Sequence, residues 1–309
     1  MTGPTREQEL AVLRAVIYAS LFDYPLTLEQ LEASLGVRAQ ADVIAGWWRT
    51  SEFLQATVEH HDGWFFRAGQ RELIETRARR EALSRDLLDR DRNVLAMVSS
   101  IPFVRMVALS GSLAHLNAEG SADLDLFVIT APSRVWSVTL AVLVIARLLG
   151  WRRRLCLNYV VSERAMAIAP RDLFSANQII HLRPITGHRV FERFVKTNAF
   201  VRDFYPNFDT GSRLSAISSR PASWRRWVES TLSIGIAPAM ERMSRALYGW
   251  HLRRRAAFWQ SRDQVRLEPE CLKLHTSSHR ASTLARFDAA MAALGQPKES
   301  VVPFVVKAS

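Results

Sequence analysis

Apolar positions along the chain change their period more than once. Residues 6–21 place Leu10, Leu13, Val16, Ile17 and Leu21 at helical spacing, and Pro25 stops the run. Thr27 is placed to cap a short helix over Leu28–Leu35, which Gly36 ends. A third helix is expected over Ala39–Trp48. Phe53–Val58 and Trp64–Arg67 then read as two strands joined at His61-Asp62-Gly63. Three helices and a hairpin in this order predict a winged-helix-like domain over residues 1–69. Residues 70–100 are dense in charge of both signs, which predicts a long, exposed connector helix with i,i+4 pairs.

From Val104 the apolar runs become continuous. Val104–Leu109 and Leu124–Thr130 read as buried strands, the second closed by Pro132. The stretch Val135–Trp151 reads as an apolar helix, and Leu155–Val161 as a third strand. Strand, turn-helix, strand, helix, strand predicts an α+β fold with a mixed sheet and helices packed on it, over residues 101–208. The polar run Asp209–Ser223 after Pro206 and Asn207 marks a boundary, and residues 209–309 are expected to be a helical region.

The 309 residues, 48% of them hydrophobic, suffice for two or three domains. Cys156 and Cys271 stand in no metal-like spacing and read as buried small apolar groups in a reducing compartment. The start MTGPTREQEL is polar and has no secretory character, so a cytoplasmic location is expected. No integral membrane span is expected either. Val135–Trp151 breaks at Arg147 and falls short of the ~20 residues a span needs. Thr231–Trp250 is interrupted by Glu241, Arg242 and Arg245. Peripheral contact with anionic lipid through Arg152-Arg153-Arg154 or Arg253-Arg254-Arg255 is a lesser reading.

Charge divides the chain. Residues 1–100 hold 12 Lys and Arg against 15 Asp and Glu, a net of −3; the rest hold 29 against 15, a net of +14. Phosphate binding draws on Lys and Arg. A protein-contact or substrate-positioning role therefore suits residues 1–69 better than DNA binding, and any polyanion should meet residues 101–309. No phosphate loop of the Gly-x-x-x-x-Gly-Lys type, no Gly-x-Gly-x-x-Gly and no Gly-x-Ser-x-Gly elbow is present, which weakens ATPase, dehydrogenase and hydrolase readings.

The chemistry concentrates in ALSGSLAHLNAEGSADLDLFVIT, Ala108 to Thr130. Side chains on a strand alternate, so Asp123 and Asp125 share a side. Two carboxylates that close repel by roughly 3 kcal/mol at an effective dielectric near 20. A divalent cation relieves this, and oxygen ligands favour Mg²⁺ or Mn²⁺. Gly111 lets backbone approach a ligand closely, and Ser112 offers a hydroxyl beside a helix start, a place for terminal phosphates. Ten residues separate Ser112 from Asp123, enough for a short helix and a loop.

An apolar strand, Gly-Ser, a gap of this length and Asp-x-Asp on the next strand resemble the nucleotidyltransferase superfamily typified by DNA polymerase β. The motif covers about 60 residues. The wider layout resembles bacterial proteins in which a winged-helix-like segment precedes such a domain and a helical region follows. The resemblance implies Mg²⁺-dependent transfer of a nucleoside monophosphate from an NTP, expected to be ATP, to an acceptor. It implies that Gly111 and Ser112 hold the triphosphate while Asp123 and Asp125 bind metal. The family's third carboxylate falls at Asn158, which carries no charge and cannot act as a base. Three readings are open: Asn158 serves as a neutral ligand on the acceptor side, Glu163 substitutes, or the domain senses nucleotide without turning it over. The acceptor is unnamed; RNA, a small molecule or a protein side chain all fit, with a lean towards an anionic one held by basic C-terminal helices.

Weaker candidates are His275, His279 and Lys273 in LKLHTSSHRAST, read as nucleotide contacts or surface. His181, Arg183 and His188 are read as a solvated loop with some anion-binding capacity, and Trp47-Trp48 as core packing.

Overall fold

A computed structural model describes residues 3–120, 122–211, 223–233, 236–274 and 279–295. The chain opens with α1 (Arg6–Ser20), started by a capping box in which Thr5 and Gln8 satisfy each other's backbone N–H. The same device, Thr27 with Gln30, starts α2 (Leu28–Ala33) directly after β1 (Leu26–Thr27). Then come α3 (Ala41–Thr50), α4 (Glu52–Thr57), β2 (Val58–His61) and β3 (Trp64–Arg67). The three strands form an antiparallel sheet in the order β1-β3-β2.

The expected strand at Phe53–Val58 is corrected to α4. Ser51 accepts from the Leu54 N–H at 3.1 Å, and this cap turns the segment into a helix before the chain extends at Val58. Trp47 is buried, and the Trp48 indole donates to the Val58 carbonyl at 2.8 Å, so both tryptophans do pack in this unit.

The expected connector helix is two helices, α5 (Leu73–Arg90) and α6 (Arg92–Ser100). Between them Asp91 is drawn into the interior, where it accepts from Arg154 at 2.7 Å and Arg90 at 3.1 Å. Nor is this segment wholly exposed. Arg77 is buried and donates to the Pro25 carbonyl, and the buried Ser84 hydroxyl accepts from the Ala118 N–H.

The main sheet follows: β4 (Val104–Leu109), α7 (Gly111–Ala114), β5 (Leu124–Thr130), α8 (Val135–Leu148), β6 (Leu155–Ser162), α9 (Leu173–His181) and β7 (Arg183–Thr186). After α10 (His188–Thr197), α11 (Val201–Phe204), α12 (Ser223–Ser233) and α13 (Ile236–Arg254), the chain returns with β8 (Val265–Glu268) and β9 (Cys271–Leu274), then α14 (Arg280–Ala292). The strand order is β7-β4-β5-β6-β9-β8; only β5 and β6 are parallel, joined across α8. The fold is α+β with a mixed sheet. Two expectations are corrected here. The C-terminal region is not helical throughout, since β8 and β9 extend this sheet. His181, Arg183 and His188 are not a loop but the end of α9, an edge strand and the start of α10.

Strand alternation divides the apolar residues between two cores. Met106, Ala108, Phe127, Ile129, Tyr159 and Val161 face α9, α10, α14 and the N-terminal unit. Val107, Leu109, Leu124, Leu126, Val128 and Val160 face α6, α8 and α13. Among the described residues no helix is long and apolar enough to cross a membrane.

Candidate functional site

The first face of the sheet opens into a cavity of about 880 Å³. Its floor holds Ser110, Gly111 and Ser112, which follow β4, together with Asp125 of β5 and Asn158 of β6. Tyr24 of the N-terminal unit forms part of a wall; its hydroxyl donates to the His115 carbonyl at 2.9 Å and so docks this unit onto the turn after α7. Asn177, His181 and Tyr205 also line it, and the His115 and His181 rings stack at 4.0 Å.

Gly111 has φ +63°, a conformation that costs any residue with a Cβ. A Cβ here would also sit 2.3 Å from Asp125 Oδ2. Glycine is therefore demanded twice, by backbone conformation and by the carboxylate pressed against it. The Ser110 N–H donates to the Asp125 carbonyl at 2.8 Å, which ties turn and strand into one unit.

A bulge brings Asn158 alongside. Leu126 pairs with Leu157, but Phe127 pairs with Tyr159, so one residue of β6 is extra. The Asn158 amide nitrogen donates to Asp125 Oδ1 at 2.6 Å, and the Cys156 thiol donates to the Asn158 amide oxygen at 2.8 Å. The amide oxygen, the side-chain atom of Asn158 able to ligate a cation, is thus turned to Cys156. Reversing the amide would set oxygen against carboxylate, so an ionised Asp125 fixes this orientation. In this arrangement Asn158 holds Asp125 in place through its amide nitrogen.

Burial raises the Asp125 pKa above the usual carboxylate range; the Asp123 charge adds to this, while the Asn158 and Cys156 hydrogen bonds oppose it. Burial and the same two carboxylates push the Cys156 thiol up to about 11, so it is no nucleophile at neutral pH. Asp123 stands exposed, immediately before β5. Glu163 is removed from the site. It follows the far end of β6, where Thr130 pairs with Ser162, and it is ion-paired with Arg193 and Arg105. His279 lines the cavity, His275 lies outside the described residues, and Lys273 is buried against Gln264 and the Tyr159 ring.

Among the described lining residues are the carboxylates Asp23, Glu119 and Asp125, and neither Lys nor Arg. Of the C-terminal helices expected to hold the acceptor, α14 borders the cavity at Thr283, whereas the basic helix α13 packs on α8 across the sheet and does not. Asp123 and Asp125 are hard oxygen donors that repel each other, a set that fits one Mg²⁺ or Mn²⁺ completed by water or phosphate. Among the described residues no group of three or more His, Cys, Asp or Glu could hold a metal. His115, Tyr24 and Asn177 escaped sequence reasoning; only His115, three residues beyond Ser112, carried a local signal. Set against family models, curated proteins and solved structures, the chain matches none of them.

Proposed function

We propose that the cavity is the active site of a metal-dependent nucleotidyltransferase that moves a nucleoside monophosphate from an NTP, ATP being the expected one, to an acceptor hydroxyl or amine. The observation that carries this is the fusion of the Gly111 bend with Asp125 at the floor of a cavity large enough for a nucleotide and a second small molecule. Asp123 and Asp125 would hold Mg²⁺ or Mn²⁺, which when bound offsets negative charge on the phosphates. The lining supports that role. Asp23 and Glu119 are ion-paired with Arg80, which leaves Asp125 as the lining carboxylate with no described ion pair; it repels a bare polyphosphate, and a divalent ion would reverse the local sign.

In this reading Gly111 admits the phosphates close to backbone, and Ser112 offers its hydroxyl to the outer ones. Asn158 keeps Asp125 oriented. The winged-helix-like unit closes the cavity through Tyr24, a substrate-positioning role.

A second reading, a nucleotide sensor, is favoured by one observation: both ends of the Asn158 amide are already engaged, and it can take no proton from an acceptor. Calorimetry of ATP binding with and without Mg²⁺, followed by pyrophosphate release with a cell extract as acceptor source, separates the two. Mg²⁺-dependent binding with release that Asp123→Ala and Asp125→Ala abolish supports the transferase. Binding without release supports the sensor. Absence of binding sinks both.

A further inference from the structure

The second face of the molecule carries a feature that the cavity does not use. Along α13, Ile236, Met240, Met243, Leu247 and Trp250 are spaced by four and three residues, and each is between 40% and 58% exposed. At 3.6 residues per turn they fall within an arc of about 80° and run for about 20 Å. The inward face is a different one, with Ala237, Glu241, Ser244 and Leu252 buried against α8 and its core. This helix therefore has two apolar interests, and the larger side chains point to solvent.

Charge decides what covers them. Arg242, Arg253 and Arg254 are exposed on the same helix, Arg254 within that arc and the other two about 100–120° to one side of its centre. Its single acidic residue, Glu241, is turned inward and accepts from the Trp136 and Ser137 N–H groups. The outer surface of α13 is thus apolar and cationic with no carboxylate. Spacing by four and three also suits a helix pair with a second copy. A second copy would set arginine against arginine with nothing on α13 to answer, whereas an anionic bilayer answers both properties. Trp250, with the Arg254 guanidinium 4.0 Å above its ring, has the character of a side chain that sits at headgroup level.

We infer that α13 is an interfacial helix that seats this protein on anionic membrane surfaces, with Met243, Leu247 and Trp250 entering the acyl boundary and the arginines meeting headgroups. The test is co-sedimentation of the full chain with vesicles of phosphatidylcholine alone and of phosphatidylcholine with phosphatidylglycerol. Binding is expected to the second only, and to weaken as salt rises. The pair Met243→Glu and Leu247→Glu should lower it by about tenfold or more. The set Arg242→Gln, Arg253→Gln and Arg254→Gln should lower it by about 100-fold, at roughly 1 kcal/mol per charge. All five positions are exposed, and unchanged melting temperatures would confirm that folding is intact. No difference between the two lipid compositions overturns the inference. So does a dimer, seen by sedimentation equilibrium without lipid, that Leu247→Glu dissolves.

Discussion

On one face of the six-stranded sheet, α8 and α13 cover Leu126, Val128 and Val160; on the other, Asp125, Asn158 and Tyr159 look into the cavity. Acidic side chains show how differently the two regions are built. Glu241 accepts two N–H groups and a hydroxyl at the start of α8, where a carboxylate also complements the helix dipole. Glu229 accepts from the Phe103 N–H, Arg225 and both terminal nitrogens of Arg105. Burial works against its charge, but these donors carry its pKa below the usual range. Asp125 is shifted the other way, chiefly by burial and then by Asp123. Carboxylates that hold the fold are matched to donors. The one that floors the cavity is left under-compensated, which is in keeping with the proposed role of Asp125 in holding a cation.

The largest effect should come from Gly111→Ala. The positive φ alone costs about 1–2 kcal/mol, and the new Cβ must displace the Asp125 carboxylate. Calorimetry should find nucleotide binding lost and the melting temperature lowered. Retained binding would break the link between bend and carboxylate. Next, Glu241→Ala strips the start of α8 and should cost about 2–3 kcal/mol in urea unfolding while leaving nucleotide binding unchanged. A loss of binding would mean that the two faces are coupled.

Asp125→Asn sharpens the contrast. It removes a repulsion, so the protein without ligand should melt higher, while Mg²⁺-dependent nucleotide binding disappears. A lower melting temperature would show that the carboxylate is structural after all. Stability against pH should then show opposite signs. The Asp125 pKa is raised on folding, so its contribution is full below the unfolded value and lost as pH rises through the folded one. The Glu229 pKa is lowered, so its contribution is present above the unfolded value and lost as pH falls through the folded one. Comparing the pH dependence of the melting temperature of Asp125→Asn and Glu229→Gln with the parent checks both signs. Smallest of all, Glu163→Gln removes a partly exposed ion pair with Arg193 and should change stability by about 0.5 kcal/mol or less, with no effect at the cavity.

The sequence alone determined much that is local. Buried strands announce themselves by continuous apolar runs, so β4 and β5 lie where the pattern puts them, and the Thr27 cap starts α2 as expected. A glycine before a serine advertised the bend at Gly111; Asp123, by contrast, falls just outside β5, so strand alternation does not govern it. Where a residue's role depends on a distant partner, the pattern was silent or misleading. Ser51 could cap only once Leu54 turned back to it, and Asp91 broke a helix because Arg154, 63 residues on, drew it inward. Only the tertiary structure sent Glu163 to the far end of β6, put α13 behind the sheet, and turned Asn158 into a prop for Asp125. A bulge and a strand register set that last contact, and both arise from pairing between segments that no local period links.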